Sequence, residues 1–332
     1  MSMHSRSLTI TAVAAGVILV PILLTNYMPY FRTMRPPLKP LPLPNGVSRL
    51  TTPEGLELLV AKPEESQLSS APLLLVHGGY GTAHCYSKWL PYLASRGRIA
   101  YSLSLTGHGQ SPRPGNFINM TVTDFVRDVE HTIDLIHSYH PELPRPVLVG
   151  HSSGGGVSQC FLSNVPTGAE PPVSGVVLVD AIPPTGSTGV YMNWVRADPL
   201  FGFRVIGQGG DPKGPLSSPA LVQRIFFGSK MRKEELEEFF SGMNTEESVA
   251  WPQSMMSTFV DIPKAKKSAN GRVAWISGEE DVIMPPALMK KAAALYDAPL
   301  TVVPYGGHHL MRDEVWKEGA DALLAQLDSW SL

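Results

Sequence analysis

Residues 146–156 read PVLVGHSSGGG, a short apolar run closed by Gly150-His151-Ser152-Ser153-Gly154. A run of this length bounded by glycine reads as a buried strand, and the residues from about Ser153 to Leu162 suit a helix. The serine between them then stands on a sharp turn of G-x-S-x-G form. Glycines at 150 and 154 let the strand turn tightly and the helix pack close, which pushes the Ser152 side chain outward. Backbone N–H groups at the start of that helix are placed to stabilise negative charge. The competing interpretation is a glycine-rich reversal with no chemistry, and the flanking sequence decides between them.

Upstream, LELLVA (56–61), PLLLVHG (72–78) and RIAYSLSL (98–105) read as strands, and Val122–Tyr139 carries Phe125, Val129, Ile133 and Ile136 at helical spacing. Downstream, GVVLVD (175–180), RVAWISG (272–278) and LTVVPYG (300–306) add three strands, and Glu314–Trp330 reads as a closing helix. Apolar strands alternating with helices imply an α/β fold, with a mostly parallel central sheet covered by helices on both faces. The stretch from about Ala181 to Asn270, rich in Pro, Gly, Phe and Met, interrupts that alternation and reads as an insertion.

A serine nucleophile needs a base and an orienting acid, and later strand ends supply both. SGEEDVIMPP sets Asp281 just after one strand, and PYGGHHLMRDE sets His308 just after the next. Parallel strands bring these loops to the same sheet edge as the serine turn. HGGYGTAHCY follows the first core strand, with Gly78 and Gly79 permitting close backbone approach. The oxyanion donors are expected to be the N–H groups of Gly79 and Ser153, with Tyr80 as substitute for the first. Cys85 and Cys160 fit neither a zinc pattern nor a disulfide scaffold. No His/Cys/Asp/Glu group has metal-ligand spacing, and GQGGDPKG (207–214) lacks the preceding strand and the Lys-Ser/Thr of a phosphate loop, so no metal and no cofactor are expected.

Hydrophobic residues make up 43% of the 332 and charged ones 17%, enough to bury a sizeable core. A formal net charge of −2 with no dense Lys/Arg stripe speaks against nucleic acid as a partner. The uncharged stretch LTITAVAAGVILVPILLT (8–25), at 1.5 Å per residue, nearly covers a hydrocarbon layer of roughly 30 Å. Tyr27, Tyr30 and Phe31 follow where interfacial aromatics sit, and no small-x-small cleavage site comes after. A single-pass membrane anchor is therefore expected over a cleaved signal peptide. The division is 1–31 anchor, 32–47 proline-rich linker, 48–180 first part of the core, 181–270 insertion, and 271–332 second part. Arg32, Arg35 and Lys39 outweigh Arg6 and the amino terminus, which places the folded domain in the cytoplasm. Against this, Asn119-Met-Thr is a glycosylation sequon, usable only in a lumenal domain. The sequence carries no signal for oligomeric state.

Taken together, HGG (77–79), LTGHGQSPRP (105–114), GHSSGG (150–155), Asp281 and GGHH (306–309), in this order, resemble the α/β-hydrolase superfamily of the serine-nucleophile type, from about Thr51 to Leu332. The resemblance implies Ser152, Asp281 and His308 as a triad and the insertion as a cap over it. The family pattern G-G-H favours His308 over His309 as the base. Asp180 sits where some relatives keep their acid and is expected instead to anchor a loop. Ser104 stands where the family usually has aspartate, a departure that bears on loop structure. The implied activity is hydrolysis of a small hydrophobic ester or thioester through an acyl-enzyme. An acyltransferase, a C–C hydrolase and a cyclase use the same triad, and a non-catalytic membrane-tethered binding protein is the alternative of another class. Trp251–Phe259, with its methionines, is expected to line an apolar substrate pocket.

Overall fold

The computed structural model describes residues 40–64, 70–207, 214–244 and 246–332. The expected anchor at 8–25 lies outside them. Among the described residues no helix is long and apolar enough to cross a membrane.

Eight strands form one sheet: β1 (Val47–Thr51), β2 (Glu57–Ala61), β3 (Leu73–Val76), β4 (Ala100–Leu103), β5 (Val147–His151), β6 (Gly175–Val179), β7 (Val273–Gly278) and β8 (Leu300–Val303), in the spatial order 1-2-4-3-5-6-7-8. From β4 to β8 every pairing is parallel, and β2 runs antiparallel to both β1 and β4. The central strands are apolar throughout because both faces are covered. Leu74, Val76, Leu148 and Leu178 enter one buried cluster, while Leu73, Leu75, Val147, Val149, Val177 and Val179 enter the other. Adjacent strand residues point to opposite faces, so a parallel strand needs a continuous run rather than alternation. β1 was not anticipated from the sequence. Its VSRLT has apolar residues three apart and sits at the sheet edge, half open to solvent, where no period-2 signal is required.

α1 (Trp89–Ser95) and α11 (Trp316–Ser329) pack together on one face. On the other, α2 (Val122–Tyr139) and α9 (Ile262–Ser268) flank α3 (Ser152–Asn164), with α10 (Pro286–Leu295) against β7. α2 starts where expected because the Asp124 carboxylate accepts the Thr121 N–H at 2.7 Å, and it buries Phe125, Val129, Ile133 and Ile136. α11 closes the chain two residues inside the expected start and one inside the expected end, within normal fraying. The end of the proline-rich segment lies on the core: Leu43 packs into it, and the Leu41 carbonyl accepts from Arg49 at 3.3 Å.

Between β6 and β7 the insertion folds as short helices, α4 (Thr188–Ala197), α5 (Phe201–Gly207), α6 (Pro219–Phe226), α7 (Lys233–Gly242) and α8 (Ala250–Gln253). It reaches the loops after β3, β4, β7 and β8, through Glu247 to Tyr80 and His108, Asn193 to Ile283, and Gly228 to Asp313. The insertion thus lies over the carboxyl ends of the strands, where the candidate site residues gather. α9 packs on α3, so the chain is back on the core before β7 begins.

Candidate active site

Ser152 follows β5 directly and opens α3 with φ +52, in the left-handed region that a non-glycine residue rarely occupies. The strain is held by close packing on both sides. A Cβ on Gly154 would lie 2.2 Å from the His77 carbonyl oxygen, and one on Gly150 would lie 2.4 Å from Ser158 Oγ, so only glycine fits at either position. The hydroxyl therefore stands at the carboxyl edge of the sheet, with 8% of the residue exposed.

His308 comes from the loop after β8 and Asp281 from the loop after β7. His308 Nε2 is 3.0 Å from Ser152 Oγ, and its Nδ1 is 2.7 Å from Asp281 Oδ2. Asp281 Oδ1 accepts the N–H groups of Ile283 at 2.9 Å and Met284 at 2.8 Å, which fixes the carboxyl plane. The structure thus brings the three expected residues into one hydrogen-bonded chain. His309 turns away: its N–H donates to the Phe226 carbonyl, and its ring lies among Phe226, Phe227 and Phe239. Burial, with neighbouring imidazoles second, holds His309 well below the usual histidine range. His151 donates from Nε2 to the His308 carbonyl at 2.9 Å and is likewise kept neutral by burial.

Asp180, at the end of β6 with φ +39, accepts the Gly278 N–H at 3.1 and 3.2 Å and does not reach Ser152 through His308. It is nevertheless close, since ligand atoms of Asp180, Asp281 and His308 lie within 4.8 Å of one another. Burial first, and the Asp281 charge second, push its carboxyl well above the usual range. A carboxyl group buried this near another is less readily ionised. Asp281 is held by three donors, and Asp180 by the Gly278 N–H and the Ser277 hydroxyl; burial and the adjoining Asp281 charge favour the neutral form at Asp180.

The loop after β3 lies against the serine turn. A Cβ on Gly78 would stand 3.2 Å from Ser152 Oγ, and one on Gly79 would stand 3.9 Å from Ser153 Oγ. Gly78 thus packs on Ser152, and Gly79 lies beside Ser153 at the start of α3. The Tyr80 N–H is committed elsewhere, donating to Glu247 Oε2 at 2.7 Å.

Three supporting carboxylates, Glu57, Asp313 and Glu247, were not read from the sequence. Glu57 takes the place of the carboxylate absent at Ser104. Ser104 Oγ donates to Glu57 Oε2 at 2.8 Å, and the same oxygen accepts the Gln110 N–H at 3.1 Å. Asp313 holds the histidine loop by accepting Gly307 N–H at 2.9 Å and Gly228 N–H at 2.8 Å. Glu247 and His108 form a buried pair at 3.2 Å beside Tyr80. The spacing His308-x4-Asp313 was the one local signal among these; the others depend on residues far apart in sequence. Trp251 corrects an expectation. It is fully buried, 4.5 Å from Phe125 and 5.7 Å from His108, and Met255 is equally buried, so both fasten the insertion to α2 and α3 rather than face a pocket. The aromatic line that does approach the site runs from His308 to Phe226 at 5.6 Å, then to Trp194 at 6.3 Å and Tyr191 at 6.4 Å. Cys85 and Cys160 are buried, unpaired thiols, and burial pushes Cys85 up to about 11.

Comparison with known proteins agrees with this architecture. A pyrethroid hydrolase of Sphingobium wenxiniae is 22% identical over 249 residues, covering 71% of this chain and 80% of its own. Mouse monoglyceride lipase is 32% identical over 120 residues, or 34% of this chain and 37% of that protein. Among solved structures, an esterase from Thermogutta terrifontis superposes with a TM-score of 0.62 at 18% identity, over 85% of this chain and 99% of the esterase. The family model described as the alpha/beta hydrolase family matches residues 73–322, and the chain belongs to that family.

Proposed function

We propose that this hydrolase cleaves an ester or thioester of a hydrophobic substrate through an acyl-enzyme on Ser152. The observation that carries the reading is the unbroken contact chain from Ser152 Oγ to His308 Nε2 and from His308 Nδ1 to Asp281. His308 takes the hydroxyl proton as Ser152 Oγ attacks the carbonyl carbon, and the N–H groups of Gly79 and Ser153 receive the resulting oxyanion. Asp281 accepts the Nδ1 proton in a hydrogen bond and stabilises the imidazolium. When the tetrahedral adduct collapses, His308 returns the proton to the departing alcohol or thiol. Water, deprotonated by the same imidazole, then releases the acid.

The aromatic line from Phe226 to Tyr191 supports an apolar acyl or alcohol group, as do relatives named for a pyrethroid and a monoglyceride. The apolar segment 8–25 is proposed as an anchor that holds the domain at a membrane, on the cytoplasmic side by its flanking charges. Asn119 is exposed ahead of α2, so a glycosidase-sensitive mass shift lost in Asn119→Gln would reverse that orientation.

The test is kcat/KM over p-nitrophenyl esters from two to ten carbons. Each buried CH₂ contributes about 0.8 kcal/mol, so three more methylenes should raise kcat/KM at least tenfold while the pocket accommodates them. A flat or falling series would exclude an apolar substrate. A burst of one p-nitrophenol per enzyme is expected where deacylation is slow.

A further inference from the structure

Tyr80 has φ +59, a left-handed backbone conformation costly for any residue with a side chain. The insertion grips it from both sides. Its N–H donates to Glu247 Oε2 at 2.7 Å, and its carbonyl accepts the Asn244 N–H at 2.9 Å. Both partners belong to the segment between α7 and α8. Tyr80 directly follows Gly79, so this clamp limits rotation about the residue that supplies the first oxyanion donor.

The clamp brings a difficulty with it. Glu247 is buried, and its Oε2 lies 3.5 Å from the position a Cβ on Gly79 would take. A bare carboxylate there would oppose the negative charge that develops on the substrate oxygen. His108 answers it. Its Nε2 lies 3.2 Å from both Glu247 oxygens, and its Nδ1 lies 3.0 Å from the Thr106 carbonyl, so both nitrogens face acceptors and both carry protons. Burial is the largest single influence and works against that charge, but the Glu247 charge and hydrogen bond, with Thr106 and Asp128, together turn the net direction upward. The other titratable groups facing His108 are His77 and Asp128. His77 accepts the Leu105 N–H at Nε2 and is held low by burial; Asp128 on α2 accepts from Thr106 and adds a further negative field.

We propose that Glu247 and His108 are a positioning pair for the oxyanion site: Glu247 sets the loop through Tyr80, and His108 cancels the charge that Glu247 brings. The proposal rests on the acyl-enzyme reading above. It makes the insertion part of the catalytic geometry as well as a cover, because the oxyanion loop is correctly shaped only with Asn244 and Glu247 seated.

The experiment measures kcat and KM for one p-nitrophenyl ester in the full chain and in His108→Gln, Glu247→Gln, the double variant and Glu247→Ala. Rates are expressed per serine labelled by a fluorophosphonate. His108→Gln, which leaves a buried carboxylate uncompensated, should lower kcat at least tenfold with KM within about threefold. Glu247→Gln keeps an acceptor for Tyr80 without the charge and should lose less. The double variant should recover most of the His108→Gln loss. If the double variant is as poor as His108→Gln, or if kcat per labelled serine stays at the wild-type value in His108→Gln, the proposal is overturned. Should His108→Gln not accumulate as folded protein, Glu247→Ala against Glu247→Gln decides: a tenfold lower kcat for Ala supports the clamp, and equal values refute it. Failure of the wild type to label at all would instead overturn the serine reading itself.

Discussion

At the scale of the residue, the site is a matter of two carboxyl groups given different roles by their surroundings. Asp281 faces His308 and two backbone donors; Asp180 is buried behind it, held by Gly278 and Ser277, with burial favouring its neutral form. Asparagine imitates a protonated aspartate, so Asp180→Asn should leave kcat within about threefold. Asp281→Asn removes the acceptor for Nδ1–H and favours the wrong tautomer, and kcat should fall by at least about a hundredfold. Steady-state rates on a p-nitrophenyl ester, with thermal melts as a folding control, distinguish the two. Reversed effects would move the acid to Asp180. These residues were legible in the sequence because each ends a strand whose apolar run is unmistakable, as with Val273–Gly278 before Asp281. Glu57 and Glu247 were not, since a carboxylate's partner across the sheet or under the insertion leaves no mark in its own neighbourhood.

At the scale of the element, the core helices and strands follow from local pattern, and the insertion does not. α2 has an apolar stripe and a capping carboxylate, and its bounds were correctly expected to the residue. β1 offered no alternation, because an edge strand buries little. Within the insertion, nothing in the spacing of Trp251, Met255 and Phe226 distinguishes a side chain that fastens from one that faces substrate. Their surroundings do. Trp251→Ala should remove a fully buried anchor between α8 and α2 and cost about 3–5 kcal/mol in urea unfolding, with the shape of the ester-length series unchanged. Phe226→Ala, beside the His308 ring, should flatten that series. If Trp251→Ala alters chain-length preference and Phe226→Ala does not, the assignment of the aromatic line fails.

At the scale of the whole molecule, a parallel sheet delivers Ser152, Asp281 and His308 to one edge, and the insertion lies over them; in the reading proposed above it also shapes the oxyanion loop. The folded domain is tied to the end of the proline-rich segment by Leu41 and Leu43. A chain beginning at Pro40 should therefore be soluble and active, while the full chain stays with membranes through a carbonate wash; release of the full chain by that wash would remove the proposed anchor. The claim on which everything else rests is that Ser152 is an activated nucleophile. Its most direct test is labelling of the full-length, folded protein with a fluorophosphonate probe, beside Ser152→Ala and His308→Ala. Stoichiometric labelling of the wild type is expected, with none in Ser152→Ala and a rate lower by about a thousandfold in His308→Ala. Equal labelling of wild type and Ser152→Ala, or none in wild-type protein that melts cooperatively, would contradict it.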